Sequence, residues 1–326
     1  MIFDLFLSDE QRLLVESLQT FLSDALPVER LRHPTGFGAQ QERNLWSQLA
    51  GLGLFGFAIP EVNGGVGYGL PEEVLASQAL GRYCVSSTVL ATMLAAHIAK
   101  SLNEIELCRA LCVGQARACF ANPLEGGEVQ LIDAEACDWV VLLAQSTSLI
   151  ARADVENWRQ VRSFDEGIAM ERGKPKAGCQ FTPPWGERAS LLIAAFLVGN
   201  SQATVDMAVS YVSNREQFGQ AIGAFQAIKF GCADMAVRAA AAEAQTFYAA
   251  MVGADDDVES TAQIASARWL ARTAAIDNAK ANIQFHGAMG FTAECDAHLY
   301  LKRALLFASL GSDQRKEECQ LLAPML

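Results

Sequence analysis

Residues 215–226 read REQFGQAIGAFQ, an arginine, an aromatic and a glycine set between two long apolar segments. Taken by itself the stretch is a polar corner between two helices, or a corner that also holds a ligand. Beyond it Phe225, Ile228, Cys232, Met235 and Ala239 recur at three- and four-residue spacing, which predicts a helix packed in a bundle. The corner therefore joins two long helices, over roughly 187–214 and 224–252. A third follows over roughly 260–285 after the Asp run at 255–257, and a last one starts near Asp296. Four such helices predict a four-helix bundle, and the alanine-rich AVRAAAAEAQ suits close helix contact.

Upstream the texture changes twice. ARACFANP, EVQLI and DWVVLLAQ are short, rich in valine, leucine and aromatics, and bounded by Gly, Asp and Pro, so they predict strands. This β region ends near Pro183–Pro184 and is small enough that it should lean on its neighbours. The first part of the chain reads as helices. Ser8 and Gln11 form a capping-box pattern ahead of Leu13, Leu14, Leu18 and Phe21, and a second helix is predicted over about Gln40–Leu52. Pro71, Glu72 and Glu73 open a third that runs towards Tyr83, with further helices over 87–100 and 103–115. The expected organisation is mainly α: an N-terminal helical domain (1–116), a reduced β-domain (117–184) and a C-terminal helical bundle (185–326).

Composition narrows the function. At 326 residues, 51% apolar and 19% charged, the chain has material for two or three cores. A net charge of −12 disfavours nucleic acid and anionic membranes, because phosphates are repelled. The opening MIFDLFLSDEQ has no basic region, and the apolar run 191–200 is too soon polar to span a bilayer, so a cytoplasmic protein without a membrane span is expected. Nine cysteines without paired spacing read as reduced thiols. The four histidines have no metal-ligand spacing, and no G-x-S-x-G elbow is present. GLGLFG (51–56) fits G-x-G-x-x-G, but a helix precedes it and Pro60 follows, so it lacks the strand-to-helix setting a dinucleotide loop needs.

A second purposeful stretch is NIQFHGAMGFTAECDAHLYLKRA (282–304), where Gln284 lies at a helix end and Gly287 permits close backbone approach. R-x-x-F-G (Arg215, Phe218, Gly219), the following Phe225–Gln226 and CADMA, and Q-x-H-G-x-M-G-F from Gln284 to Phe291 together resemble the acyl-CoA dehydrogenases. LSDEQ (7–11), LWSQLAGLGLFGFAIPEVNGGVGYG (45–69) and EEVLASQALGRY (72–83) have the same look, in the same order.

The resemblance implies dimers or tetramers with FAD at subunit interfaces. By match Arg215, Gln217, Phe218, Phe225, Gln226, Gln284, Gly287 and Ala288 would grip the adenine and pyrophosphate end of a neighbour's flavin, and Ser312 and Gln314 would belong to a later flavin-contacting loop. It also implies a reaction in which a carboxylate removes the α-proton of an acyl-CoA thioester while a β-hydride passes to the flavin. Electrons would then go to an electron-transfer acceptor protein.

Two departures touch that chemistry. FASLGSDQ (307–314) places Leu310 or Gly311 where the family carries its glutamate, and neither accepts a proton. The family's second base location falls at Ala189. Glu187 is two residues away, about 200° around a helix, and Asp313 is on the far side of the loop, so both are poor substitutes. ACFANPLEGG (118–127) keeps only the start of the family's flavin-covering β segment. The resemblance then implies a short, base-less subunit of a heteromer with a paralogous catalytic chain, a heterotetramer of the kind used on lipid or steroid side-chain thioesters. The alternatives are a self-sufficient homo-oligomer with an unusual base, or a structural subunit without flavin.

Overall fold

A computed structural model of the chain describes residues 5–32, 37–143, 147–176, 185–253 and 258–311. Helix α1 (Asp9–Ala25) starts where the sequence placed it. Gln11 N–H donates to the Ser8 hydroxyl (3.1 Å) and Ser8 N–H to the Gln11 side chain (3.0 Å), which satisfies two otherwise orphaned donors. The helix expected over 40–52 is instead two, α2 (Phe37–Asn44) and α3 (Trp46–Gly51). The break at Leu45 turns Trp46 inward, where it stacks on Phe55 at 4.3 Å and its indole N–H reaches the Gly114 carbonyl. Helices α4 (Leu70–Arg82), α5 (Ser87–Ser101) and α6 (Ile105–Cys112) follow, the last shorter than its predicted span. GLGLFG runs from α3 into a buried 3-10 turn, not from a strand into a helix.

Six strands form one sheet in the order β4-β3-β1-β2-β6-β5. The three expected from sequence are β1 (Ala118–Pro123), β2 (Val129–Ile132) and β3 (Trp139–Leu143). Strands β4 (Thr147–Ala151), β5 (Val155–Val161) and β6 (Met170–Pro175) were not legible. Strand β5 is the exposed edge, with VENWRQV facing water along most of its length, so it has no apolar alternation to read. Because side chains alternate, Phe120, Ile132, Val141 and Leu143 join the main core with the helices, and Cys119, Leu131, Val140 and Leu142 form a second core behind the sheet. The sheet does lean on its neighbours, chiefly on α5.

Helix α7 (Trp185–Asn214), α8 (Gln226–Gly253), α9 (Val258–His286) and α10 (Ala297–Ser309) form the bundle. By length and composition α7 is apolar enough to cross a membrane, longer than the run 191–200 suggested, but 72% of that apolar window is buried inside the protein. Two glycines explain how tightly it packs on α4. A Cβ on Gly81 would lie 1.9 Å from the Phe196 carbonyl oxygen, and one on Gly199 would lie 1.9 Å from that of Gln78. Phe196 stacks on Phe307 of α10 at 3.6 Å, so α4, α7 and α10 form a solid wedge.

Candidate cofactor-binding site

Residues 215–226 fold as a miniature hairpin between α7 and α8. Strand β7 (Glu216–Gln217) pairs with β8 (Gln220–Ala221), and Phe218 (φ +53°) and Gly219 (φ +80°) form the two-residue turn. Successive positive φ values suit a type I′ hairpin turn, but a phenylalanine at the first position stores roughly 1 kcal/mol of backbone strain. Its ring is 91% exposed and touches Phe225 edge-on at 6.1 Å between centroids. Arg215, Gln217 and Gln226 are exposed too. Among the described residues the Arg215 side chain makes no hydrogen bond or ion pair; its backbone closes the corner, with the Arg215 N–H donating to Tyr211 and the Ile222 N–H donating to Arg215.

The second corner sits beside the first. Tyr211, one turn before Arg215, stacks on His286 at 4.1 Å, and the α8 residue Gly231 lies against Phe285. His286 is thus used in packing, its Nδ1 hydrogen-bonded to the Asn282 carbonyl. Just past it Gly287 (φ +59°) and Ala288 are exposed, as is Gln284 one turn earlier. A Cβ on Gly219 or Gly287 would meet nothing within 4 Å, so both backbones face open space. The bundle end therefore offers a cation, an exposed aromatic, amide side chains and bare backbone together, which is the donor set that a pyrophosphate and a ring require.

The other end of the bundle is different. Leu310 is buried (1% exposed), and its carbonyl accepts from Arg268 Nη2 at 2.8 Å. The same nitrogen donates to the carbonyls of Phe307 (3.0 Å) and Ala308 (3.3 Å) at the α10 terminus. Asn122 of β1 closes the corner from the opposite side, its Nδ2 donating to the Ser309 carbonyl and its Oδ1 accepting from Gly311 N–H, both at 2.9 Å. Neither Arg268 nor Asn122 stood out in the sequence, since their partners are backbone carbonyls and amides distant along the chain. From Arg268 to His286 helix α9 rises about 27 Å. Leu310 and the hairpin corner are accordingly far apart in one chain, and Ser312, Asp313 and Gln314 lie outside the described residues.

Ala189 is buried (3% exposed) near the start of α7. Glu187 turns elsewhere, accepting from the Thr261 hydroxyl of α9 at 2.6 Å. It stands about 40 Å along α7 from the hairpin. Next to it is a network the sequence reading missed. Glu73 of α4, assigned from sequence only to a helix first turn, is buried (1% exposed) and accepts from His97 Nε2 (2.8 Å) and Arg188 Nε (2.8 Å). Burial alone raises a carboxyl, but these two partners outweigh it and hold Glu73 down at about 2. Burial pushes the His97 imidazole down against the pull of Glu73.

The family's N-terminal domain matches residues 8–104 and its C-terminal domain residues 187–312. The chain belongs to the acyl-CoA dehydrogenase family. It is 29% identical over 314 residues to the acyl-CoA dehydrogenase IpdE2 of Mycobacterium tuberculosis, covering 94% of this chain and 95% of that one. The acyl-CoA dehydrogenase FadE34 of the same organism is 34% identical over 289 residues, which is 80% of this chain but only 39% of FadE34. Among solved structures, a chain of the ChsE4-ChsE5 complex from Mycobacterium tuberculosis superposes with a TM-score of 0.79 at 19% identity, over 98% of this chain and 99% of that one. At that identity the likeness is one of fold. It agrees with the mainly α architecture described above.

Proposed function

We propose that this chain is the base-less subunit of a cytoplasmic, heteromeric acyl-CoA dehydrogenase, contributing the half-site that grips the FAD of a catalytic paralogue. The observation that carries the reading is Leu310. By the resemblance the family's base position falls on Leu310 or Gly311, in a corner clamped by Arg268 and Asn122, and the second on the buried Ala189, and none of these side chains accepts a proton. Leu310 cannot take the α-proton of an acyl-CoA thioester, so a carboxylate of another chain must do so. The fold shared with a chain of the two-component ChsE4-ChsE5 complex supports the heteromer.

FAD, when bound, supplies the electron sink for α,β-dehydrogenation. The residues of this chain fit its adenine and pyrophosphate end. The Arg215 guanidinium is free to neutralise phosphate, the Phe218 ring is exposed with only Phe225 at its edge, and the bare backbone at Gly219 and Gly287 admits close approach. Gln217, Phe225, Gln226, Gln284 and Ala288 line the same end of the bundle. The Leu310 corner, about 27 Å away along α9, serves a different flavin or none. The substrate class in keeping with the family is an acyl-CoA thioester, and reduced flavin would pass its electrons to an electron-transfer protein.

The test is production of the chain alone and together with a full-length family member. The reading expects little flavin in the chain alone, a yellow stoichiometric complex with acyl-CoA oxidation, and loss of flavin from that complex on Arg215→Met. A lone chain that purifies as a yellow, active homo-oligomer overturns it. In that case Glu187→Gln and Asp313→Asn identify which carboxylate serves as base. The engagement of Glu187 by Thr261 speaks against it.

A further inference from the structure

A groove of about 400 Å³ runs between the end of α7, the hairpin and the start of α8. Val209 and Ser213, two of its lining residues, stand two positions before and after Tyr211, about 200° around the helix. The groove therefore opens on the face of α7 away from the stack of Tyr211 on His286. Val209 and Val212 line its α7 side, Ile228 and Cys232 its α8 side, and Ala221 of β8 its hairpin side. The hairpin base sits close on α7 here, since a Cβ on Gly223 would lie 3.0 Å from the Val212 carbonyl oxygen. None of these residues is among those that fit FAD.

The lining decides the kind of ligand. The volume lies in the ~300–1,000 Å³ range of small-ligand pockets. The walls are aliphatic, and the lining residues include no aromatic ring on which a flavin, an adenine or another flat ligand would stack. Ser213 carries the only hydroxyl among them and is itself exposed, so the interior has no side chain to pair the polar groups of a sugar or nucleotide. Lys229 lines the same groove, and among the described residues its exposed ammonium makes no ion pair. We propose that this groove binds a medium-chain fatty acid, its alkyl chain along Val209, Val212 and Ile228 and its carboxylate on Lys229. The net charge of −12 repels such an anion at long range, so burial of the alkyl chain supplies the affinity and Lys229 fixes its direction.

Cys232 makes the site readable. Its thiol is half-buried in the α8 wall, one helical turn beyond Lys229, so a seated alkyl chain covers the sulfur. The same chain packs on Ala221 and Gly223 and so braces the base of the hairpin whose turn presents Phe218.

The experiment follows alkylation of Cys232 by iodoacetamide in the full chain, read by peptide mass spectrometry, with octanoate as the probe. The expected result is saturable, several-fold protection of Cys232, with the rate at Cys137 unchanged in the same sample. Acetate, which has no chain to bury, should protect little. Lys229→Met should weaken octanoate several-fold and leave protection by uncharged octanol as it was. Val209→Glu, at an exposed helix position, should abolish protection by both. Where Cys232 alkylates too slowly to follow, calorimetric titration with octanoate reads the same variants. Absence of saturable binding overturns the proposal, as does octanoate binding that Lys229→Met or Val209→Glu leaves intact. Protection by FAD in place of octanoate overturns it by giving the groove to the flavin. A ligand-free chain with Cys232 already shielded, and the mass of a dimer by light scattering, overturns it too, since a second copy then fills the groove.

Discussion

Glu73→Gln is the most informative single change, because it keeps shape and removes only charge. In the wild-type chain the carboxylate is held at about 2 instead of the ordinary 4.5. Linkage converts that difference into an upper limit of about 3 kcal/mol of stability at pH 7. The sign follows from a folded-state value below the unfolded one. The contribution is fully present above pH 4.5, declines as the unfolded chain takes up its proton, and is gone once pH falls through about 2. At pH 3.5 roughly 1.4 kcal/mol of it has already been lost. Glu73→Gln should therefore lower the urea-unfolding free energy by about 3 kcal/mol at pH 7 but by only about 2 kcal/mol at pH 3.5. Removing the Glu73 charge also removes its pull on His97, which burial already depresses, so the difference between the two proteins reads the buried Glu73–His97 pair. Equal stabilities at pH 7, or a gap that does not narrow in acid, would refute the argument that His97 and Arg188 hold a buried charge.

The remaining predictions use the same logic elsewhere. Asp133 behaves oppositely: burial raises its carboxyl to about 6 from 3.8, so its protonated form stabilises the fold and that benefit is lost as pH rises through about 6. Asp133→Asn should raise stability at pH 7 by up to roughly 2–3 kcal/mol and flatten the pH dependence between 4 and 6, as read by urea unfolding. Phe218→Gly should stabilise the isolated chain by about 0.5–1 kcal/mol, since its φ of +53° suits glycine, yet weaken flavin retention in the proposed complex, a split visible in paired unfolding and absorbance measurements. Gly199→Ala should cost roughly 1–3 kcal/mol or more, because the new methyl collides with the Gln78 backbone and must force α7 from α4; an unchanged unfolding midpoint would contradict that packing.

The parts legible in the sequence were those encoded locally. Apolar residues three and four apart announced α8, Ser8 with Gln11 announced the start of α1, and Gly287 announced a corner that permits close backbone approach. Strand β5 escaped because an edge strand such as VENWRQV buries too little of itself to show a period. The helix expected over 40–52 broke because Trp46 gains more from stacking on Phe55 than a continuous helix would allow. Glu73 looked like a first-turn acid, since nothing adjacent to it reveals that His97 and Arg188 arrive from two other helices.

By itself, then, the sequence determined the family and the mainly α architecture, because each is written in residue type and short spacing. Only the tertiary structure decided what those residues do together. It brought the Arg215 and Gly287 corners to one end of the bundle through the contact of Tyr211 with His286. It set the Leu310 corner about 27 Å away along α9 and locked it with Arg268 and Asn122. It also joined Glu73 to His97 and Arg188. These are contacts between residues far apart in the chain, and their geometry is fixed by how helices and strands pack rather than by any local pattern.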